Sequence, residues 1–312
     1  VNTHNLVPDP TRWARRLKVK HLESFLILKE CATLSEAAQR MHMTQSAMSH
    51  WLIELESMAG VKLVQRGRQI RLTPAGDALR RLAIRILGDV ARTHDELDYL
   101  ARGSAGGLQI GTVTTGLAEL IPNAITAFQA EHPDVIIRLT EGVFNQLLTG
   151  LEKRDLDLFI GLIDARAYAP HLAHEVLFED DFVAIVGPAH PLAGAPRVRW
   201  SDLVDYPWIM PPPNTLMRSR VDAVLLDRGG AGIRARVETG SILTISSLLR
   251  QSDWVSVCSG ALGARMHQVG LLHMLPLRES FGPVGAVYRE TDDHPHIGAF
   301  LAALRRQGSH RS

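Results

Sequence analysis

The chain has 312 residues, 46% hydrophobic and 21% charged, with 25 Gly and 16 Pro. At roughly 100–200 residues per domain this is material for two or three domains, and the composition excludes a disordered or collagen-like chain. No apolar run approaches the ~20 residues of a bilayer span. The segment Val1–Pro8 has no basic flank, apolar core and small-residue cleavage site, so no secretory leader is read there and a cytoplasmic location is expected.

Two cysteines, Cys31 and Cys258, exclude a disulfide framework and a cysteine zinc site. Charge is unevenly spread: Lys and Arg lead Asp and Glu by 16 to 11 through Arg102 and trail by 18 to 22 after it, giving +5 against −4. A small front domain that meets an anion, with nucleic acid as first candidate, and a larger body that does not are the expectation.

In chain order, a basic N-terminal arm (1–19) carries Arg12, Arg15, Arg16 and Lys18. Apolar residues at helical spacing, among them Leu22, Phe25 and Leu26, then predict a helix over Lys20–Cys31. Ser35 is read as the cap of a short helix, Ser35–Met41, with Glu36 in its first turn. His42-Met43-Thr44 connects this to a third helix near Gln45–Ser57, capped by Thr44. At 100° per residue, Ala47, Met48, Trp51, Leu52 and Leu55 fall on an arc of about 200–340°, and Gln45, Ser46, Ser49, His50 and Ile53 on one of about 0–140°. One face is core. The other presents short hydrogen-bonding groups suited to base edges, where a solvated face would carry Lys and Glu.

Val61–Thr73 reads as a β-hairpin wing around Gly67, with Arg66 and Arg68 at its tip in reach of phosphates or a minor groove. Thr73-Pro74 opens a long helix (74–103). Its residues Leu79, Leu82, Ile86, Val90, Thr93, Leu97 and Leu100 are spaced as a coiled-coil seam, which predicts dimerisation. Gly103–Gly107 reads as a flexible joint. From Leu108 strands alternate with helices: strands at Leu108–Thr112, Val135–Thr140 and Leu158–Leu162, helices at Leu117–Glu131 and Phe144–Arg154. Further strands are read at Ala184–Val186, Trp208–Met210 and Trp254–Cys258, and helices near Met217–Arg228 and Leu243–Gln251. The fold class expected is α/β with a mostly parallel sheet, behind an all-α front with a wing.

The stretch Leu34-Ser35-Glu36-Ala37-Ala38-Gln39-Arg40-Met41-His42-Met43-Thr44-Gln45-Ser46-Ala47-Met48-Ser49, with Leu55-Glu56 and Arg71-Leu72-Thr73-Pro74-Ala75-Gly76, resembles the LysR-type transcriptional regulators. Weaker echoes are Glu131-His132-Pro133-Asp134-Val135, Asp155-Leu156-Asp157-Leu158 and Pro188-Ala189-His190-Pro191-Leu192. The resemblance covers nearly the whole chain. It implies a winged helix-turn-helix (20–73), a linker helix that pairs two chains, and a two-lobed effector domain (107–304) like a type 2 periplasmic binding protein. Lobe I would hold 107–163 and 268–304, and lobe II 164–267, with crossings near Ile163 and Gln268. It also implies promoter DNA, a small-molecule effector and RNA polymerase as partners, and a homodimer that pairs into a homotetramer. The family often carries Arg or another long polar residue where His50 and Trp51 stand, and the arm before Lys20 is longer than usual.

On that frame, Gln45, Ser46, Ser49 and His50 are the candidate major-groove readers, and Ser35 and Thr44 the candidate phosphate contacts. The effector cleft is expected between the lobes, at the carboxyl ends of the strands. Thr114 and Thr115 after the first strand, Thr215 and Ser241 opposite, and Arg218 as anion partner are the candidate ligand contacts. The resemblance points to small carboxylates, sugars or aromatic catabolites. No nucleophile elbow, P-loop or HExxH appears, and His171/His174 and His294/His296 lack further ligands at metal spacing, so neither an enzyme nor a metal or cofactor site is expected. A lone Cys258 in the effector domain disfavours a two-cysteine redox sensor. The competing reading is a soluble small-molecule binding module with non-specific polyanion affinity.

Overall fold

The computed structural model describes residues 10–65, 67, 69–113, 119–213, 215–228, 233–291 and 294–308, with side chains from Trp13 onward. The chain divides into two compact units, Val1–Asp98 with Glu152–Asp155 and Tyr99–Leu151 with Leu156–Ser312. Among the described residues no helix is long and apolar enough to cross a membrane.

The first unit runs α1 (Pro10–Arg16), α2 (Val19–Glu30), α3 (Leu34–Arg40), α4 (Gln45–Ala59), β1 (Val64–Gln65), β2 (Arg71–Leu72) and α5 (Pro74–Ala101). Leu22, Phe25 and Leu28 of α2 pack with Ala37 and Ala38 of α3, Met48, Leu52 and Leu55 of α4, and Leu79 and Ala83 of α5. The basic arm is not merely an arm. It contains a helix, and Trp13 and Leu17, one turn apart, lie half-buried against that same core. The wing is present as an antiparallel pair, Val64 opposite Leu72 and Gln65 opposite Arg71. Thr73 closes its base by donating to Lys62 O (2.7 Å) and accepting from Gly76 N (3.1 Å), which also caps α5.

Two readings of this region change. The seam of α5 is not continuous, because Leu79 is buried in the first core and Leu82 and Ile86 lean on it; Val90, Leu97 and Leu100 remain bare at 49%, 62% and 57% exposure. The joint after α5 is pinned, since Ala105 N and Ser104 Oγ both donate to Asp134 O (3.0 and 2.5 Å) and the strand has already begun at Gly106.

A buried carboxylate ties α4 to the wing. Glu56 is 6% exposed, and its Oε1 accepts from the backbone N of Leu63 (3.0 Å) and Val64 (3.3 Å) while Oε2 takes Lys62 Nζ at 2.5 Å. Burial by itself would raise its pKa; the three hydrogen bonds outweigh burial and hold the carboxyl below its ordinary value.

The second unit runs β3 (Gly106–Thr112), α6 (Leu120–Glu131), β4 (Val135–Glu141), α7 (Phe144–Lys153), β5 (Leu158–Leu162), β6 (Leu172–Val186), β7 (Trp208–Met210), α8 (Leu216–Asp227), β8 (Ala235–Glu238), α9 (Ile242–Leu249), β9 (Val255–Ser259), α10 (Gly260–Gln268), β10 (His273–Arg289) and α11 (Ile297–Gly308). The strands form one sheet in the order β4-β3-β5-β10-β6-β9-β7-β8. It is mixed rather than mostly parallel. The β3–β4, β3–β5, β7–β8 and β7–β9 pairs are parallel, whereas β10 pairs antiparallel with β5 and β6, and β6 with β9.

The antiparallel ladder between β6 and β10 runs from Leu172 opposite Arg289 to Val186 opposite His273 and joins the two halves of the sheet. Within these two strands the chain passes from one half of the sheet to the other. Register breaks fall between Met274 and Arg278, Ser280 and Gly282, and Val284 and Gly285. Gly282 has φ +114°, a conformation open to glycine, and a Cβ on Gly285 would stand 2.1 Å from Glu175 O, so the backbones can approach only without a side chain.

Replacing Glu56 by Gln is expected to destabilise the first unit by about 1–3 kcal/mol, the cost of weakening a buried multiply bonded acceptor. Because the native pKa is lowered, the wild-type advantage is present at neutral pH and shrinks as pH falls below 4.5, the ordinary Glu value. Urea denaturation of both proteins at neutral and acid pH, followed by fluorescence, checks the size and the direction.

Candidate functional site

Two surfaces carry chemistry. The first is the outer face of α4. Met48, Leu52, Leu55 and Met58 are buried while Gln45, Ser46, His50 and Ile53 are exposed, Ile53 at 51%, and Ser49 is half-buried. This is the division the angular spacing predicts. Thr44 caps the helix by accepting from Ala47 N (3.2 Å), and its hydroxyl also meets Ser46 Oγ at 3.0 Å. The tight turn before it depends on His42 in the left-handed region (φ 52°), which lets Met43 N return to Ala38 O at 2.8 Å.

Ser35 does not cap α3. Thr33 does, accepting from Glu36 N (3.2 Å), while the Glu36 carboxylate accepts from Ala32 N (2.7 Å). A capping hydroxyl stands just outside the first turn, three residues before the N–H it accepts from, which Thr33 satisfies and Ser35, already inside α3, does not. Ser35 is exposed in the first turn, so its hydroxyl is free of the capping role. Arg66 and Arg68 lie outside the described residues.

The second surface is a cleft of about 1080 Å³, counting its open mouth, within the second unit. One side is formed by Val113 after β3, by Gly142, Val143, Phe144 and Asn145 at the start of α7, by Leu162 at the end of β5 and by Arg166 beyond it. The other side carries Pro211, Pro212, Thr215, Leu216 and Met217 before and within α8, Thr239, Gly240, Ile242 and Ile245 around α9, and Val257, Cys258, Ser259 and Leu262 of β9–α10. Thr114 and Thr115 lie outside the described residues.

Of the other expected contacts, Thr215 lines the cleft but is engaged as the cap of α8, donating to Pro212 O (2.7 Å) and accepting from Arg218 N (3.2 Å). Ser241 caps α9, accepting from Thr244 N (3.3 Å), and does not line the cleft. Arg218 is committed elsewhere. Its Nε reaches both oxygens of Asp222 (3.0 Å each) and its Nη1 reaches Glu238 (2.7 Å) and Pro211 O (3.2 Å), and it is absent from the lining.

Among the described residues, the cation lining the cleft is Arg166. Its guanidinium lies 4.2 Å over the Phe144 ring, Nε bonds Asp164 Oδ1 and Oδ2 (3.0 and 2.9 Å), and Nη1 bonds Asn145 Oδ1. Burial would raise the Asp164 pKa, but hydrogen bonds from the Arg166 side chain and backbone hold it below the ordinary value. Cys258, buried in the cleft lining, has its thiol pushed far up by burial, away from thiolate reactivity. Among the described residues no cluster of three His, Cys, Asp or Glu could hold a metal ion.

Sequence comparison decides what these surfaces belong to. The family model described as "LysR substrate binding domain" matches residues 101–309, and that described as "Bacterial regulatory helix-turn-helix protein, lysR family" matches 19–77. The chain belongs to the LysR family of transcriptional regulators. It is a DNA-binding regulator with a helix-turn-helix in front and an effector-binding domain behind.

Among its relatives, the HTH-type transcriptional regulator GbpR of Azospirillum brasilense is 30% identical over 95% of this chain and 89% of that protein. PcaQ of Agrobacterium fabrum is 27% identical over 93% and 95%. In fold, the LysR-type chain resembles full-length CbnR complexed with its target DNA, with a TM-score of 0.60 at 20% identity over 93% of this chain and 99% of that one. It also resembles a Corynebacterium glutamicum OxyR C206 mutant, with a TM-score of 0.55 at 22% identity over 95% and 92%.

Sequence reasoning missed Phe144, Asn145, Arg166, Thr239, Gly240 and Ser259. Thr239-Gly240 was adjacent to the residue chosen, and Arg166, four residues past β5, sits after the Asp155–Leu158 echo; both are found by taking every strand end as a cleft wall rather than one per side.

The two candidate caps of α3 can be separated by mutation. Thr33→Ala is expected to cost about 1 kcal/mol and Ser35→Ala close to nothing in stability. Thermal unfolding of both variants checks this, and equal losses would restore Ser35 to the cap.

Proposed function

We propose that this regulator reads promoter DNA through Gln45, Ser46, Ser49 and His50 of α4, and that a small-molecule effector held in the cleft switches its activity. The observation that carries the reading is the outer face of the first turns of α4: Gln45, Ser46 and His50 are exposed and Ser49 half-buried, with no Asp, Glu, Lys or Arg among them, on a helix whose other face is core. Gln45 suits bidentate contact with adenine, and Thr44 and Ser35 at helix starts suit phosphates. Arg66 and Arg68 on the wing are proposed to reach the backbone or minor groove.

The domain boundaries we infer are 20–73 for DNA binding, 74–103 for the linker, and 107–304 for the effector domain, with the two lobes exchanging chain along β6 and β10. The bare stretch of α5, Val90, Leu97 and Leu100, is the pairing surface of a homodimer, and two dimers form the homotetramer. Its setting is the bacterial cytoplasm, it catalyses no reaction, and RNA polymerase is its further partner at the promoter. An effector that binds closed lobes better than open ones shifts the assembly and with it the spacing and bending of bound DNA.

The test is retention of fragmented genomic DNA by the full-length protein, with sequencing of what is retained, beside the Gln45→Ala, Ser49→Ala double variant. The wild type is expected to enrich a few intergenic sites. The variant should lose that enrichment, about 1–3 kcal/mol per contact removed, while keeping weak salt-sensitive retention. Equal enrichment by both proteins would remove α4 from the reading; uniform retention by both would favour polyanion binding without sequence choice.

A further inference from the structure

We propose that α1 and the turn after it form a phosphate-binding strip beside α4, in which Arg15, Arg16 and Lys18 hold the backbone of the DNA duplex flanking the bases that α4 reads. This rests on the reading above that α4 faces DNA, and it extends the nucleic-acid surface in front of residue 19, where the helix-turn-helix match begins. The stretch Arg15–Lys20 carries four cations and no acid, and Arg15, Arg16, Lys18 and Lys20 are all exposed. Among the described residues none of the four is in an ion pair, whereas Arg40, Lys62 and Arg80 of the same unit are paired with Glu30, Glu56 and Asp77. Helix stability does not account for the whole set. Arg15 and Arg16 suit the last turn of α1, but Lys20 stands in the first turn of α2, where the helix end disfavours a cation.

Docking makes this strip a surface rather than a tail. Trp13 and Leu17 lie half-buried on the core that α4 also covers, and α1 packs against α4, while Arg15 and Arg16 between those two anchors stay in solvent. The turn that follows sits at the edge of the outer face of α4. There His21 Nδ1 accepts from Lys18 N (3.2 Å), and its pKa is lowered by burial first and then by the charges of Lys20 and Lys18, with Glu54 of α4 acting in the opposite sense. At 100° per residue Glu54 stands at about 180°, next to His50 at about 140°, so the cations flank the reading face. Like charges held this close gain nothing from one another, and a face kept for solubility interleaves both signs. A duplex, with one negative charge per roughly 1.7 Å of axis, supplies the missing counter-charge and releases its own counterions in exchange. Guanidinium forks match phosphate oxygens, and such contacts fix register without choosing sequence.

The experiment titrates the full chain onto a mixed-sequence duplex of about 40 base pairs by fluorescence anisotropy over a series of salt concentrations. Wild type is compared with Arg15→Gln, Arg16→Gln and with Arg234→Gln, Arg236→Gln, which removes the same charge from exposed arginines of the second unit. Unfolding temperatures equal to wild type show that both variants are folded. The Arg15, Arg16 variant should lower the slope of log affinity against log salt by roughly 2 and weaken binding roughly ten- to fiftyfold at about 100 mM salt; the second-unit variant should change neither. The genomic sites that the Arg15, Arg16 variant enriches should be those of the wild type, because phosphate contacts carry no sequence choice. An unchanged slope, or an equal fall in both variants, overturns the strip, and a changed set of enriched sites overturns its backbone role. A lowered slope here, with enrichment unaffected by Gln45→Ala, Ser49→Ala, supports the strip and removes the reading of α4, so the two failures are told apart.

Discussion

The antiparallel pairing of β6 with β10 is the constraint on which the effector domain depends. Two strands of 15 and 17 residues lie side by side through the middle of an eight-stranded sheet, with β5, β3 and β4 on one flank and β9, β7 and β8 on the other. The cleft walls hang from these flanks: Leu162 ends β5 and Arg166 follows it, whereas Val257, Cys258 and Ser259 belong to β9. Whatever changes the angle between the flanks must act on this pair. Its register breaks at Ser280–Gly282, where Gly282 adopts φ +114° and Phe281 still reaches the cleft. A bulged ladder keeps its hydrogen bonds on either side of the break, so it can bend there without separating.

The front unit was the more legible part of the sequence. The 3.6-residue period of α4 sorted its faces correctly, because burial of Met48, Leu52 and Leu55 and exposure of Gln45, Ser46 and His50 follow from one helix on one core. Misplacing the α3 cap had a local cause: two hydroxyls, Thr33 and Ser35, flank the start, and only the spacing to Glu36 tells them apart. The seam of α5 was read too long because Leu79 obeys the same spacing while serving a different core. Periodicity shows that a face is apolar, not which neighbour covers it.

The effector domain was half legible. Short strands buried on all sides, β5 and β7, announce themselves as continuous apolar runs. In contrast, β10 contains Pro276, Gly282, Pro283 and Gly285, which read as turns, and β6 begins with the half-buried stretch Ala173–His174–Glu175, so the central pair was all but invisible. The lining of the cleft shares the same gap. Hydroxyls at helix starts, Thr215 and Ser241, are visible in the sequence, whereas Arg166 reaches the cleft among partners, Asp164, Phe144 and Asn145, that only tertiary structure brings together.

If β6 and β10 form one spine that bends at its register breaks, amide hydrogen exchange of the full-length protein reveals it without knowledge of the ligand. The prediction is slow exchange along both flanks of the ladder, in 183–186 against 273–274 and in 172–176 against 285–289, with faster exchange at the register breaks, in 275–277 and 280–282. Uniform protection through 280–282 would show a rigid sheet without a hinge. Fast exchange along all of β10 would show that the pair is not the spine at all.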